Sequence, residues 1–111
     1  MTKNNGGTKH DKDKTRFELV DPTFIEGIAS VLTFGARKYE DLNWTKGMKF
    51  SRVLGALKRH IHAFEVGIDV DSETGQSHLY HAACNLMFLA HYIKHKKELD
   101  DRFFAQFGDN K

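Results

Sequence analysis

The sequence is poor in the residues that cross-link small folds. Cys84 is its single cysteine, so no intramolecular disulfide can form, and there is neither a CxxC pair nor a Cys/His zinc pattern. Cys84 has apolar neighbours in a helical stretch, which indicates packing rather than nucleophilic chemistry. This cysteine usage suits a reducing compartment, and we expect a cytoplasmic protein.

Long apolar runs and a strong charge excess are also missing. No run approaches the roughly 18 apolar residues of a membrane-spanning helix, and the polar N-terminus is unlike a signal peptide. The 17 basic and 15 acidic residues leave a formal net charge of +2, less than a general nucleic-acid binder usually carries. We therefore expect no membrane partner and no nucleic acid. The pI near 8.7 and the basic tail leave a small helical nucleic-acid-binding protein as an alternative.

Several catalytic signatures are absent as well. The sequence has no Walker A loop, no GxGxxG and no GxSxG. These absences argue against P-loop enzymes, dinucleotide-binding folds and α/β-hydrolases.

What the sequence does contain is helical periodicity. Residues 1–15 hold no large apolar side chain beyond Met1 and predict a flexible polar tail, whereas residues 16–111 predict one helical domain. Asp21 and Pro22 predict the start of a first helix that ends at Gly35 or near residues 38–39. We expect an all-α fold, a small antiparallel bundle completed by oligomerisation.

Two further helices follow from the same spacing. Ser51 is the predicted cap of the second helix, and the third is expected to run from about Ser77 to Lys97. Trp44, in the loop of residues 39–50, is expected to plug the core. Residues 100–107 carry three phenylalanines and predict a short helix that docks on the bundle or on a partner subunit.

Three polar groups stand out. The first is an acidic group, which either binds a hard cation or belongs to a solvated loop: Glu65, Asp69, Asp71 and Glu73. A second group lies on one stripe of the third helix and indicates either a ligand site or satisfied core side chains: His78, His81 and Asn85. A basic group could clamp phosphates or be surface charge: Lys14, Arg16, Lys38, Lys46, Arg52, Lys58 and Arg59.

The order of several short motifs is similar to that of a known family. The motifs are Asp11-x-x-Lys14-x-Arg16-x-x-Leu19-x-x-Pro22, Phe34-Gly35-Ala36-Arg37-Lys38-Tyr39, Asn43-Trp44-x-x-Gly47-Met48, Arg59-His60 and Asp69-x-Asp71-x-Glu73-x-Gly75-x-x-His78-Leu79-x-His81-Ala82-Ala83-Cys84-Asn85. With this set the chain resembles the phage-type dATP/dGTP diphosphohydrolases, which are related to the MazG-like all-α nucleotide pyrophosphohydrolases.

The resemblance implies a reaction and a set of residues. It implies hydrolysis of deoxynucleoside triphosphates, purines favoured, to monophosphate and pyrophosphate with Mg²⁺ or Mn²⁺, by a homo-oligomer (a dimer or tetramer) in the cytoplasm of a bacterial host. The implied metal ligands are Glu65, Asp69 and Asp71, and the implied catalytic residues are Glu65, Asp69, His81 and Asn85. The implied substrate-binding residues are Lys14, Arg16, Lys38, Tyr39, Asn43, Trp44, Arg59 and His78.

One position departs from the family pattern. The family places a Glu after the loop glycine, where this chain has Ile68 after Gly67. Glu65, three residues earlier, is expected to reach the same helical face and compensate. If it does not, the alternative is a relative that binds or sequesters a nucleotide without cleaving it.

Overall fold

Three α-helices organise the chain in the computed structural model, which describes residues 6–8 and 12–107. They are α1 (Pro22–Lys38), α2 (Phe50–Glu65) and α3 (His78–His95). Short 3₁₀ helices lie at Phe17–Leu19, Asn43–Lys46, Lys97–Leu99 and Phe104–Phe107. Within the described ranges there is no strand, only an isolated bridge between Val70 and Ser77, and the all-α prediction is confirmed.

The predicted polar tail is only partly described. Residues 1–5 and 9–11 of that segment lie outside the described residues, as do 108–111, so the tail remains a prediction. None of the described helices combines the length and the apolar character needed to cross a membrane.

Two of the predicted helix starts are confirmed and one is wrong. Asp21 accepts a hydrogen bond from the Thr23 backbone N–H at 2.9 Å, and Ser77 caps α3 through its hydroxyl oxygen. Ser51 does not cap α2, because the helix already begins at Phe50. The Ser51 N–H and hydroxyl instead donate to the carboxylate of Asp101, at 2.8 and 2.6 Å.

The Asp101 contact explains why α2 needs no cap of its own. The first N–H groups of a helix lack partners within it, and a carboxylate there also complements the helix dipole. The same hydrogen bonds from Ser51 lower the pKa of the Asp101 carboxyl. The acceptor comes from 50 residues further along the chain, which a search for local capping residues does not detect.

The helix α3 lies between the other two and contacts both. Its Tyr92 is fully buried and forms the core with Phe50 and Val53 of α2. Trp44 packs on this core, stacked on Phe88 with ring centroids 5.1 Å apart. The Tyr92 hydroxyl donates to the Trp44 carbonyl, so the predicted structural role of Trp44 is confirmed.

The contact between α1 and α3 depends on close approach. Gly27 is buried against the ring of Tyr80, which also meets Phe24 edge-on at 5.5 Å. Nearby, Cys84 is buried and its thiol donates to the Ile28 carbonyl at 3.6 Å. Burial raises the pKa of the Cys84 thiol to about 11, which agrees with the packing role expected of it.

The C-terminal phenylalanines do not dock on the bundle. Phe103, Phe104 and Phe107 contact one another, and their residues remain 59%, 80% and 69% exposed. The predicted short helix is present as the 3₁₀ helix Phe104–Phe107, but its predicted docking on the bundle is wrong, because the rings form their own small cluster instead. Oligomerisation stays a prediction.

The contact at Gly27 generates a matched test. A Cβ at Gly27 would overlap the Tyr80 ring, so we expect Gly27→Ala to lower the free energy of unfolding by about 1–3 kcal/mol. In the same helix, Gly35 has open space around its Cα, so Gly35→Ala is expected to raise that free energy by about 0.5–1 kcal/mol. Urea denaturation of both variants measures the difference, and equal stabilities would contradict the packing described.

Candidate functional site

The connection from α2 to α3 begins with a glycine turn. The Ile68 N–H bonds back to the Ala63 carbonyl at 2.9 Å and the Gly67 N–H to the Phe64 carbonyl at 3.0 Å, with Gly67 at φ +93°. This is the Schellman arrangement that ends a helix. The expected compensation for Ile68 by Glu65 is therefore wrong in its premise, because α2 ends at Glu65 and Ile68 no longer shares a helical face with it.

Asp71 closes the loop that follows. Its Oδ1 accepts hydrogen bonds from the backbone N–H groups of Glu73 and Thr74, at 2.9 and 3.0 Å. Its own N–H donates to the Gln76 carbonyl, and its carbonyl accepts from the Gly75 N–H at 2.8 Å. A short polar side chain that bonds the backbone two or three residues ahead is a common way to stabilise a tight turn. The turn brings the Asp71 carboxylate back to the start of α3.

Two histidines meet that carboxylate. His60 is on α2, and His78 is the first residue of α3 and is buried at 8% exposure. Their Nδ1 atoms are 2.8 Å apart. Ligand atoms of His60, Asp71 and His78 all lie within 4.8 Å of one another. We call these three residues the His–Asp cluster.

A third imidazole supports the cluster from one side. The ring of His81 stacks on that of His60, with centroids 4.5 Å apart and planes 12° apart. The His81 Nε2 makes a 2.7 Å hydrogen bond with the Thr74 hydroxyl. Since the Thr74 N–H bonds Asp71, this threonine links the His81 ring to the carboxylate of the cluster.

The protonation preferences follow from these contacts. Burial is the main reason that the pKa of His60 is lowered, and the charges of His81 and His78 add to the effect. Burial also lowers the pKa of His81. Burial by itself would raise the pKa of Asp71, but the hydrogen bonds to its carboxylate outweigh this and the net pKa is lowered. Neutral imidazoles beside an ionised carboxylate are the forms that bind metal ions.

The cluster fits a divalent cation by its chemistry. Two imidazole nitrogens and one carboxylate oxygen are a common donor set for divalent metals. In the part of the chain that the structure describes, no other three such side chains lie this close together. The sequence predicted Asp71 as a ligand, placed His78 among substrate-binding residues, and missed His60. The signal for His60 is its place next to Arg59 in a matched motif.

The other predicted acids lie outside the cluster. Glu65 and Asp69 are exposed, and Asp69 contributes a backbone carbonyl that accepts from the His78 N–H at 2.9 Å. Asn85 is buried, and its side-chain amide donates to the His81 carbonyl one turn earlier. The structure therefore brings His81 and Asp71 together with His78, but it does not bring Glu65 or Asp69 into the same group.

The predicted phosphate-binding residues are mostly on the surface. Lys38, at the end of α1, pairs with Glu73 of the loop at 2.8 Å, and this pair raises the pKa of Lys38. Arg16 is exposed and pairs with Glu18 at 2.7 Å. Lys14 and Arg59 are exposed.

The predicted base-binding residues differ in exposure. Tyr39 is 65% exposed and is free to contact a ligand. Asn43 is half-buried in a 3₁₀ helix, and one face of Trp44 is already covered by Phe88. The structural role of Trp44 is clear, whereas base contact by any of the three remains a prediction.

A cleft of about 350 Å³ separates α1 from the loop. Ser30, Thr33 and Arg37 of α1 line one side, and Thr74 and Gln76 of the loop line the other. Because Thr74 also bonds His81, the cleft opens beside the His–Asp cluster. Phe34 and Arg37 of this lining stand in a matched motif but were not predicted as site residues, and the other lining residues hold no specified motif position.

Fold and site together define a class: a small all-α domain with a His/Asp centre next to a polar cleft. The family described as "dATP/dGTP diphosphohydrolase, N-terminal" has a model that matches residues 4–102, and the chain belongs to this family. A dATP/dGTP diphosphohydrolase of Salmonella phage PMBT28 is 43% identical over 96 residues. That match covers 86% of this chain and 33% of the phage protein, so the chain spans about a third of that relative. No solved structure matches the chain.

The buried histidines generate a test of stability against pH. Because the pKa of His60 is lower in the folded protein, the unfolded chain gains protons first as pH falls through about 6.5. Stability should therefore fall between pH 7 and pH 5, whereas the lowered pKa of Asp71 acts only at lower pH, around and below about 4.

The matched variants are His60→Gln and His62→Gln, the latter at an exposed position of α2. In chelator-containing buffers, the urea midpoint of His60→Gln should depend less on pH than that of the unmodified chain, and His62→Gln should keep the full dependence. The same slope in all three proteins would refute the account of His60.

Proposed function

We propose that this domain hydrolyses purine deoxynucleoside triphosphates to the monophosphate and pyrophosphate with a divalent metal, Mg²⁺ or Mn²⁺. A water oxygen bonds to the α-phosphorus, the bond from that phosphorus to the bridging oxygen breaks, and pyrophosphate leaves. The observation that carries the proposal is the His–Asp cluster beside a polar cleft in a chain that belongs to a diphosphohydrolase family. The name of the phage relative supports the purine preference.

The metal would be held by His60, Asp71 and His78, the donor set that fits it. When bound, a divalent ion polarises a phosphoryl oxygen and lowers the pKa of a bound water. Asp71 supplies the negative charge of the set and is kept ionised by its two backbone hydrogen bonds. The Thr74 hydroxyl holds the His81 ring beside the cluster, where its imidazole can accept or return a proton.

The cations around the cleft would bind the phosphates. Arg37 lines the cleft, and its neighbour Lys38 is held against the loop by the ion pair with Glu73. That pair is exposed at both ends, so it contributes little stability and a triphosphate can compete for the lysine. Tyr39 follows directly and offers an exposed ring for a base. These residues would orient the substrate so that its phosphates face the cluster.

A second candidate is a domain that binds the nucleotide without cleaving it. The chain spans about a third of its phage relative, and Ile68 stands where the resemblance implies an acid. In that case the cleft and its cations would act alone or with residues from a partner. The proposed oligomer could also complete the site.

Hydrolysis is tested by incubating the pure protein with each of the four dNTPs and Mg²⁺ or Mn²⁺. We expect dGMP or dAMP with equimolar pyrophosphate, resolved by ion-exchange chromatography. Asp71→Asn keeps the loop hydrogen bonds but loses the charge, and should lower the rate by roughly 100-fold or more. Asp41→Asn changes an exposed acid of the loop after α1 and should keep the full rate.

The outcomes separate the two candidates. Binding of dGTP in calorimetry with no product from any nucleotide would support the binding domain and exclude hydrolysis. Neither binding nor product would contradict both.

A further inference from the structure

The distance between the two ring nitrogens of the His–Asp cluster can be compared with the ligand separations of different coordination geometries. Nitrogen ligands lie about 2.1 Å from a divalent first-row ion. Two such ligands at 90° are therefore about 3.0 Å apart, whereas at the tetrahedral angle they are about 3.4 Å apart. The 2.8 Å observed between the Nδ1 atoms of His60 and His78 is a hydrogen-bond length, shorter than both separations and closer to the six-coordinate one.

The two rings face each other through the same nitrogen, Nδ1. In the metal-free protein one Nδ1 carries a proton and donates it to the other, because two unprotonated nitrogens would repel at this distance. An ion in their place would meet two unprotonated Nδ1 atoms once that single proton is displaced. The exchange is therefore one proton for one cation, and the two nitrogens must separate by about 0.2 Å to reach the 90° arrangement.

An oxygen of the Asp71 carboxylate lies within 4.8 Å of a ring nitrogen of each histidine. Its hydrogen bonds from Glu73, Thr74 and the Thr74 hydroxyl all go to Oδ1, so Oδ2 is available to a ligand. Such outer contacts fix a ligand's direction and are part of most metal sites. The negative charge is also needed, because the positive end of the α3 dipole at His78 disfavours a cation.

We propose that the His60 Nδ1, the His78 Nδ1 and the Asp71 carboxylate form a three-ligand site for a six-coordinate first-row transition ion of the Mn²⁺ or Co²⁺ type, in preference to Mg²⁺. Mg²⁺ takes oxygen ligands and keeps several waters, whereas imidazole favours the transition ions. Three protein ligands leave positions open for water and a phosphate oxygen, unlike a closed structural zinc site with four. The inference rests on the proposed function, whose metal it narrows.

The test is a binding measurement that needs no turnover. Chelator-treated protein is titrated with MnCl₂, CoCl₂ and MgCl₂ in a calorimeter, and the visible absorption of the Co²⁺ form is recorded. We expect one ion to bind per chain. Mn²⁺ and Co²⁺ should bind at least about tenfold more tightly than Mg²⁺. The Co²⁺ spectrum should show the weak bands of a six-coordinate ion instead of the intense bands of a four-coordinate one.

Variants assign the ligands. His60→Gln and His78→Gln should each weaken Mn²⁺ binding by about 100-fold or more, and His62→Gln should leave it unchanged. Circular dichroism checks that each variant is folded. If a histidine variant does not fold, Asp71→Asn provides a second test, because the amide oxygen of the new side chain can still accept the loop hydrogen bonds. Asp71→Asn should weaken Mn²⁺ binding to a similar extent.

Three results would overturn the inference. They are equal affinity for Mg²⁺ and Mn²⁺, an intense four-coordinate Co²⁺ spectrum, or loss of binding in Glu65→Gln or Asp69→Asn with the histidine variants unaffected. Failure of the proposed function is distinguishable, since it would appear as Mn²⁺ binding at the cluster without hydrolysis of any dNTP.

Discussion

The hydrogen bonds from two backbone N–H groups to the Asp71 carboxylate hold the loop on which the candidate site depends. They close the turn of residues 71–75, which returns the chain to the start of α3 at His78. Without that closure the carboxylate and the His78 ring would be separate features of a solvated loop. The same side chain thus holds the loop and brings its carboxylate to the two histidines.

The two halves of α3 have different roles: one packs the apolar core and the other carries the polar site. Its C-terminal half carries Tyr92, which is buried among Phe50 and Val53, and this end supplies most of the apolar packing. Its N-terminal half carries His78, His81 and Asn85, each with a hydrogen-bond partner. Among the described residues no buried side-chain nitrogen or oxygen is without a partner. A polar site can therefore be buried here because the apolar packing is concentrated at the other end of the helix.

Much of the helical fold could be predicted from the sequence, because apolar spacing and local caps are short-range signals. Asp21 caps α1 as expected, and α3 begins next to Ser77, where its start was predicted. Ser51 does not cap α2, because its partner Asp101 is distant in sequence and only the folded chain brings them together.

The candidate site was harder to predict, because it also depends on contacts between residues that are distant in sequence. Three acids are close in sequence: Glu65, Asp69 and Asp71. The chain turns at Gly67 between the first and the other two, and of the three only the Asp71 side chain lies beside the histidines. His60 is 18 residues from His78, so their contact depends on the packing of α2 against α3, which no local motif encodes.

The central claim is that the loop joins Asp71 to His60 and His78 around one position suited to a metal ion. The most direct measurement is an anomalous difference map from crystals of the full chain soaked with MnCl₂. The account predicts one strong peak about 2.1–2.3 Å from the Nδ1 atoms of both histidines and from an oxygen of Asp71. A peak at Glu65 or Asp69 instead, or none at the histidines, would contradict it.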